Sequence, residues 1–211
     1  MITLIVGLAY GVGFGQQDSS QIRTILITYV SNSGNTEKLA KSVYKGATEN
    51  NSVHVVLKSV SDTTNEDVIL ADAIILGSPV YNANPAPELL TFIQGWPFEK
   101  TPLKDKIGAV FVTAGGISSG EELVQNALQN AMLIFGMVVV GGGEWTTPFG
   151  ASAINEELKG YPERDDLFSK KGEQLGRRVR DAVLRWNAKW YLVFNTTMKS
   201  LRIVHHKNYN S

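Results

Sequence analysis

Cysteine is absent from the 211 residues, which excludes disulfide frameworks, thiolate metal sites, redox dithiols and cysteine nucleophiles together. Redox chemistry in this chain therefore needs a bound cofactor. Histidine is scarce as well. His54 stands alone, and His205 and His206 sit side by side near the end, which is not the spacing of a zinc site. The uncharged run at residues 1–15 falls short of the roughly 20 residues that cross a bilayer. Gly-Lys-Ser/Thr and GxGxxG are both missing, which disfavours ATP and the usual dinucleotide mode. The net charge of zero hides an asymmetry, because residues 1–169 carry −8 and residues 170–211 carry +8. An acidic body argues against nucleic acid as the main partner, since phosphate binding relies on clustered basic residues.

At this length one globular domain with extensions is expected. Residues 1–22 read as an apolar N-terminal extension, with a signal-like segment as the alternative reading of residues 1–15. That alternative lacks the positive region that normally precedes such a segment. Residues 23–186 form the domain, and residues 187–211 form a basic, aromatic C-terminal extension that could touch a membrane surface peripherally. The expected location is cytoplasmic, the alternative being secretion or membrane association through either extension.

Within the domain, short apolar runs alternate with helical patterns, the signature of βαβ units around a parallel sheet. Five strands are expected, at Thr24 to Val30, Val53 to Ser59, Ala73 to Gly77, Ile107 to Thr113 and Val138 to Gly141. Helices are expected at Thr36 to Thr48, Ala86 to Gly95, Gly120 to Phe135 and Asp165 to Trp190, from apolar residues at three- and four-residue spacing.

Ligands of an open parallel sheet bind beyond the carboxyl ends of its strands, so the loops after the first, third and fourth strands are the candidate site. The first, Ser31-Asn32-Ser33-Gly34-Asn35-Thr36, offers three hydroxyls and the N–H groups of a helix start, a cradle for a single phosphate. Ser, Asn and Thr also cap helices for purely structural reasons. The loop after the third strand, Gly77 to Pro85, brings Ser78, Pro79, Val80, Tyr81, Asn82 and Asn84, an aromatic face with amides for a planar heteroaromatic ring. The loop after the fourth, Thr113-Ala114-Gly115-Gly116 through Gly120, is small enough to let backbone N–H groups approach a ligand. Trp96 is a candidate stacking residue, although packing in the core is at least as good a reading of it.

The run TILITYV followed by SNSGNTEKLA resembles the phosphate-binding loop of flavodoxin-like FMN proteins. In addition, ADAIILGSPVYNANPAPELLTFI, VFVTAGG, FGMVVVGGG and TPFGASAI stand in the order and spacing of the WrbA-like NAD(P)H:quinone oxidoreductases. The likeness covers about Ile25 to Leu184, and TPFGASAI, Thr147 to Ile154, is its most specific piece. It implies a flavodoxin-like three-layer α/β sandwich with a five-stranded parallel sheet in the order 2-1-3-4-5. One FMN would be held at the phosphate by Ser31 to Thr36 and along the ring and ribityl by Pro79 to Asn84. Thr113 to Gly116 would meet one side of the ring. The resemblance also implies NADH or NADPH as donor, a quinone as acceptor and a homo-oligomer, dimer or tetramer.

Departures from the family pattern are local. Ile134-Phe135 stands where the family carries histidine, so a side-chain donor to the flavin edge is missing there. Val80-Tyr81 replaces the family's basic or aromatic residue after Ser/Thr-Pro, and the insertion before strand four is shorter. Two further readings remain: a flavodoxin-type one-electron carrier, which the acidic body suits because it steers basic partners, and a non-enzymatic membrane-associated relative. No acid or base is needed from the protein, because a flavin brings its own reactive atoms.

Overall fold

The computed structural model describes residues 22–160 and 164–207, the side chains of Arg164 and of residues 187–207 excepted. The expected N-terminal extension, apart from Ile22, lies outside the described residues. Strands β1 (Thr24–Tyr29), β2 (His54–Ser59), β3 (Ala73–Tyr81), β5 (Ile107–Ala114) and β6 (Val138–Val139) form a parallel sheet in the order β2-β1-β3-β5-β6. This is the 2-1-3-4-5 order of the five apolar runs. Helices α1 (Asn35–Thr48), α3 (Pro87–Gln94), α4 (Glu121–Ile134) and α5 (Arg164–Lys207) match the expected ones within a residue or two, except that α5 continues past the expected end at Trp190 to Lys207 and so runs unbroken from the domain into the expected C-terminal extension.

Alternation along each strand builds the two faces. Ile25, Ile27, Ala73, Ile75, Ala109 and Phe111 pack with α1 and α5. Their neighbours Leu26, Ile74, Leu76, Val110 and Val112 pack with α3 and α4. A strand buried on both faces reads as an unbroken apolar run, which is why β1, β3 and β5 stand out in the sequence.

Three features differ from expectation. The edge strand is split: β6 has two residues, the chain leaves the sheet, and β7 (Ala151–Ile154) returns to pair in parallel with Phe111–Ala114. Backbone hydrogen bonds from Gly142 to Thr147, from Thr147 to Glu144 and from Gly150 to Thr147 close the excursion. Gly150, at φ 125°, then lies so close to the Val110 carbonyl that a Cβ there would stand 2.1 Å from its oxygen. TPFGASAI is therefore half turn and half edge strand. Second, the segment expected as a loop after Gly77 continues β3 to Tyr81 and folds back as β4 (Asn84–Pro85), antiparallel to it. The two-residue turn Asn82-Ala83 has φ of 51° and 60°, the left-handed pair that matches strand twist in a tight hairpin. Third, a short helix α2 (Asn65–Leu70) starts on a capping box in which Thr64 and Asp67 satisfy each other's backbone N–H groups.

Asp67 also bonds the Lys58 ammonium at 2.8 Å. The Lys58 hydrogen bond, and then the Thr64 backbone N–H, hold the carboxyl below the ordinary aspartate range. The unfolded chain thus binds this proton more readily than the native one, so the contribution to stability is full above the ordinary aspartate pKa and fades as pH falls through the native one. Glu173, held down first by Lys45, acts in the same direction. An Asp67→Asn, Glu173→Gln chain is expected to lose stability less steeply than wild type between about pH 5 and pH 2. Thermal melts at half-unit pH steps check this; parallel acid limbs would show that neither carboxylate matters.

Candidate functional site

The loops following β1, β3 and β5 converge at the carboxyl edge of the sheet, and three contacts tie them together. The Thr36 and Thr113 hydroxyls lie 2.7 Å apart in a buried pair. Asn32 Nδ2 donates to the Tyr81 hydroxyl at 3.0 Å. The hairpin tip packs on the start of α4, where a Cβ on Gly120 would stand 2.6 Å from that of Ala83.

The loop of residues 31–36 is built to present donors. Gly34 takes φ 83° as the residue before α1 and brings no capping side chain of its own. The first N–H groups of a helix have no acceptor within it, so this end carries partial positive charge. Ser31 Oγ accepts from the Glu37 N–H at 3.2 Å, and Asn35 Nδ2 donates to Ser33 Oγ at 3.2 Å. Asn32, Ser33 and Gly34 are exposed. The loop itself holds no cation, and the next one, Lys38, is paired with Asp165 at 2.6 Å.

Side chains expected to act alike are placed differently. The Thr36 side chain is buried beneath the loop against Thr113, so these two hydroxyls join the loops from below. Ser78 is fully buried; its hydroxyl accepts from the Ala86 N–H at 2.9 Å and donates to the Pro79 carbonyl, which closes the hairpin. Pro79 and Val80 lie in β3, while Tyr81, Asn82 and Asn84 are exposed at the turn. Ala114 is buried, whereas Gly115 is exposed and Gly116 half-buried.

Glu157 was not among the expected residues. Its Oε2 accepts from the Ile117 N–H at 2.6 Å, while Glu156 and Glu157 both donate their backbone N–H groups to the Gly115 carbonyl. The loop after β7 therefore sets the shape of the Gly115-Gly116 loop. An acidic residue after ASAI carries no signal until the register of β7 against β5 is known.

Two aromatic expectations resolve by position. Trp96 is 4% exposed and packs edge-on between Phe92 and Phe135, with ring centroids 5.8 and 5.3 Å apart, so it is a core residue rather than a stacking surface. Ile134 and Phe135 end α4 just before β6, at the amino edge of the sheet. Within one chain they are at the far end from the three loops. The same end carries an apolar concavity of about 180 Å³ walled by Phe98, Leu103, Ile134 and Phe135, remote from the donor-rich loops.

Solved structures share this architecture. A flavodoxin, WrbA-like protein from Agrobacterium tumefaciens superposes with a TM-score of 0.63 at 18% identity, over 78% of this chain and 99% of that one. The chain has the flavodoxin-like fold. The family model described as NADPH-dependent FMN reductase matches residues 62–152, a span that holds the hairpin and the glycine loop of this flavodoxin-like chain. A flavodoxin from Clostridium saccharobutylicum is 28% identical over 160 residues, 74% of this chain and 97% of its own. An NAD(P)H dehydrogenase (quinone) from Syntrophus aciditrophicus (strain SB) is 26% identical over 162 residues, 64% of this chain and 78% of its own.

Proposed function

We propose that this flavodoxin-like protein is an FMN-dependent oxidoreductase that passes a hydride's two electrons from NADH or NADPH to a quinone in two separate half-reactions. FMN is its cofactor, in keeping with the matched family, and it supplies the two-electron chemistry when bound. The observation that carries the reading is the convergence of an exposed hydroxyl-and-amide loop at a helix start, an exposed tyrosine and a small-residue loop on one sheet edge. The donor set fits one phosphate. Ser31, Ser33 and Asn35, with the N–H groups opening α1, would hold it without a cation. Tyr81, Asn82 and Asn84 would line the ring and ribityl, and Gly115-Gly116, shaped by Glu157, would leave room over the ring for nicotinamide and quinone in turn. A second subunit would complete the enclosure, since one sheet edge cannot surround a ring of that size. No side chain is assigned as acid or base.

Steady-state rates of NAD(P)H oxidation with benzoquinone test the reading, and parallel double-reciprocal lines are expected because donor product leaves before acceptor binds. The flavodoxin relative and the acidic body of residues 1–169 favour a second reading, a one-electron carrier between proteins. An NAD(P)H oxidation rate indistinguishable from that of free FMN would give the site to that reading. Tyr81→Phe tests the contact between the loops. A hydrogen bond of this kind contributes about 0.5–1.5 kcal/mol, so FMN affinity is expected to fall a few-fold while the melting temperature of the apoprotein falls by no more than a few degrees. Unchanged affinity in a fluorescence titration would show that the Asn32–Tyr81 contact does not shape the cofactor site.

A further inference from the structure

We infer that the part of α5 beyond the sheet is a docking element for an anionic lipid surface, an assignment that does not depend on the flavin reading. Helix α5 runs alongside α1, its Lys38–Asp165, Lys45–Glu173 and Arg177–Glu49 pairs following the same direction down both helices. It therefore travels from the carboxyl edge of the sheet to the amino edge. Leu175, Val179 and Val183 are fully buried against the sheet, and Trp186 packs partly on the same core. The helix then continues to Lys207, about 31 Å further at 1.5 Å per residue.

The apolar repeat does not stop where the sheet does. Leu175, Val179, Val183 and Trp186 are followed, in three- and four-residue steps, by Trp190, Phe194, Leu201 and Val204, with the polar Thr197 at the one intervening step. By helical periodicity these positions share one stripe. Between residues 182 and 211 there is no acidic residue, while Arg185, Lys189, Lys199, Arg202 and Lys207 are basic. Lys189, Lys199 and Arg202 fall by the same periodicity outside the stripe. The body of the domain gives no comparable excess, since Arg177 and Arg180 are both paired with Glu49.

Charge decides between occupants. Two copies of this segment packed together would carry ten basic residues with no acidic residue among them, and a net like charge on both partners opposes association. An anionic bilayer supplies the missing counter-charge, and aromatic residues on the stripe suit the interface. Among the described residues no helix is long and apolar enough to cross a membrane, so the segment would lie on the surface.

Flotation of the full chain with vesicles of pure phosphatidylcholine, or with about one third phosphatidylglycerol, tests this. Binding to the anionic vesicles is expected, weak or absent on neutral ones, and falling as salt rises. Each basic residue near such a surface contributes about 1 kcal/mol, or roughly five-fold. Lys189→Gln, Lys199→Gln, Arg202→Gln together should therefore weaken partitioning about 100-fold. Because these positions lie past Val183, the thermal transition of the domain should not move. Absence from both vesicle types, equal binding to both, or undiminished binding by the triple variant would each overturn the assignment. So would a soluble dimer, without flotation, that Trp190→Ser, Phe194→Ser dissociates, since the stripe would then belong to a second copy.

Discussion

Placing valine at Gly46 is expected to prevent the domain from folding at 37 °C, and placing alanine there to lower its melting temperature by several degrees. Helices α1 and α5 touch backbone to backbone along a glycine seam. A Cβ at Gly46 would stand 1.8 Å from the Glu173 carbonyl oxygen, and one at Gly176 would stand 2.0 Å from that of Val43. Neither obstacle is the tip of a side chain that can swing away, so the helices must separate by more than an ångström. Separation loosens Leu39, Val43 and Ala47 from Leu175 and Val179, all buried in one cluster. Overpacking of this kind costs about 1–3 kcal/mol and occasionally more, while replacing a helical glycine by alanine returns about 1 kcal/mol. The clash wins, and for a domain of this size each lost kcal/mol lowers the melting temperature by about 2–4 °C. Since one separation relieves both clashes, Gly46→Ala and Gly176→Ala should cost less together than the sum of the two singles. A melting temperature unchanged or raised in either single variant would mean that the helices do not touch along this seam.

Legibility in the sequence follows from how completely an element is buried. The strands β1, β3 and β5 are apolar on both faces and can be read directly, whereas their order in the sheet was implied by the family resemblance and not by the runs themselves. The edge is harder, because β7 consists of Ala151-Ser152-Ala153-Ile154, small residues with no apolar run, and its pairing with β5 depends on an eleven-residue excursion closed by Thr147. The hairpin at Asn82-Ala83 escaped for a related reason, since alanine is a rare choice for a left-handed turn position and gives no turn signal. Helix α2 is too short to show periodicity, although its Thr64-to-Asp67 spacing is a readable capping box.

The convergence of the three candidate loops was legible, and the facing of their individual atoms less so. Chain order alone places residues 31–36, the end of β3 and residues 113–120 on one sheet edge. Which hydroxyls face outward is a matter of register: Thr36 and Thr113 turn inward to each other, and Ser78 closes the hairpin. Glu157 reaches its place only because β7 lies beside β5.

Asn35→Asp is expected to weaken FMN binding by roughly 30- to 1,000-fold while leaving the domain as stable as wild type or slightly more so. The substitution keeps the side chain's shape but removes the donor that Asn35 Nδ2 gives Ser33 Oγ, and it adds a negative charge beside the place assigned to the phosphate. Two unit charges about 5 Å apart repel by roughly 3 kcal/mol at the effective dielectric of a protein surface and by roughly 0.8 kcal/mol in bulk water, and an exposed loop lies between these limits. A phosphate near two charges therefore loses about 2–4 kcal/mol. Ser33→Ala, which removes one neutral hydrogen-bonding group, should cost only a few-fold. The same aspartate stands in the first turn of α1, where a negative charge stabilises a helix by about 0.3–1 kcal/mol. Stability and cofactor affinity are thus expected to move in opposite directions, which general damage to the fold cannot produce. Fluorescence titration of the apoprotein with FMN, beside a thermal melt without it, reads both quantities. If Asn35→Asp bound FMN as tightly as wild type, the phosphate would not lie at the start of α1, and the assignment of residues 31–36 would have to be abandoned even if the protein still oxidised NAD(P)H.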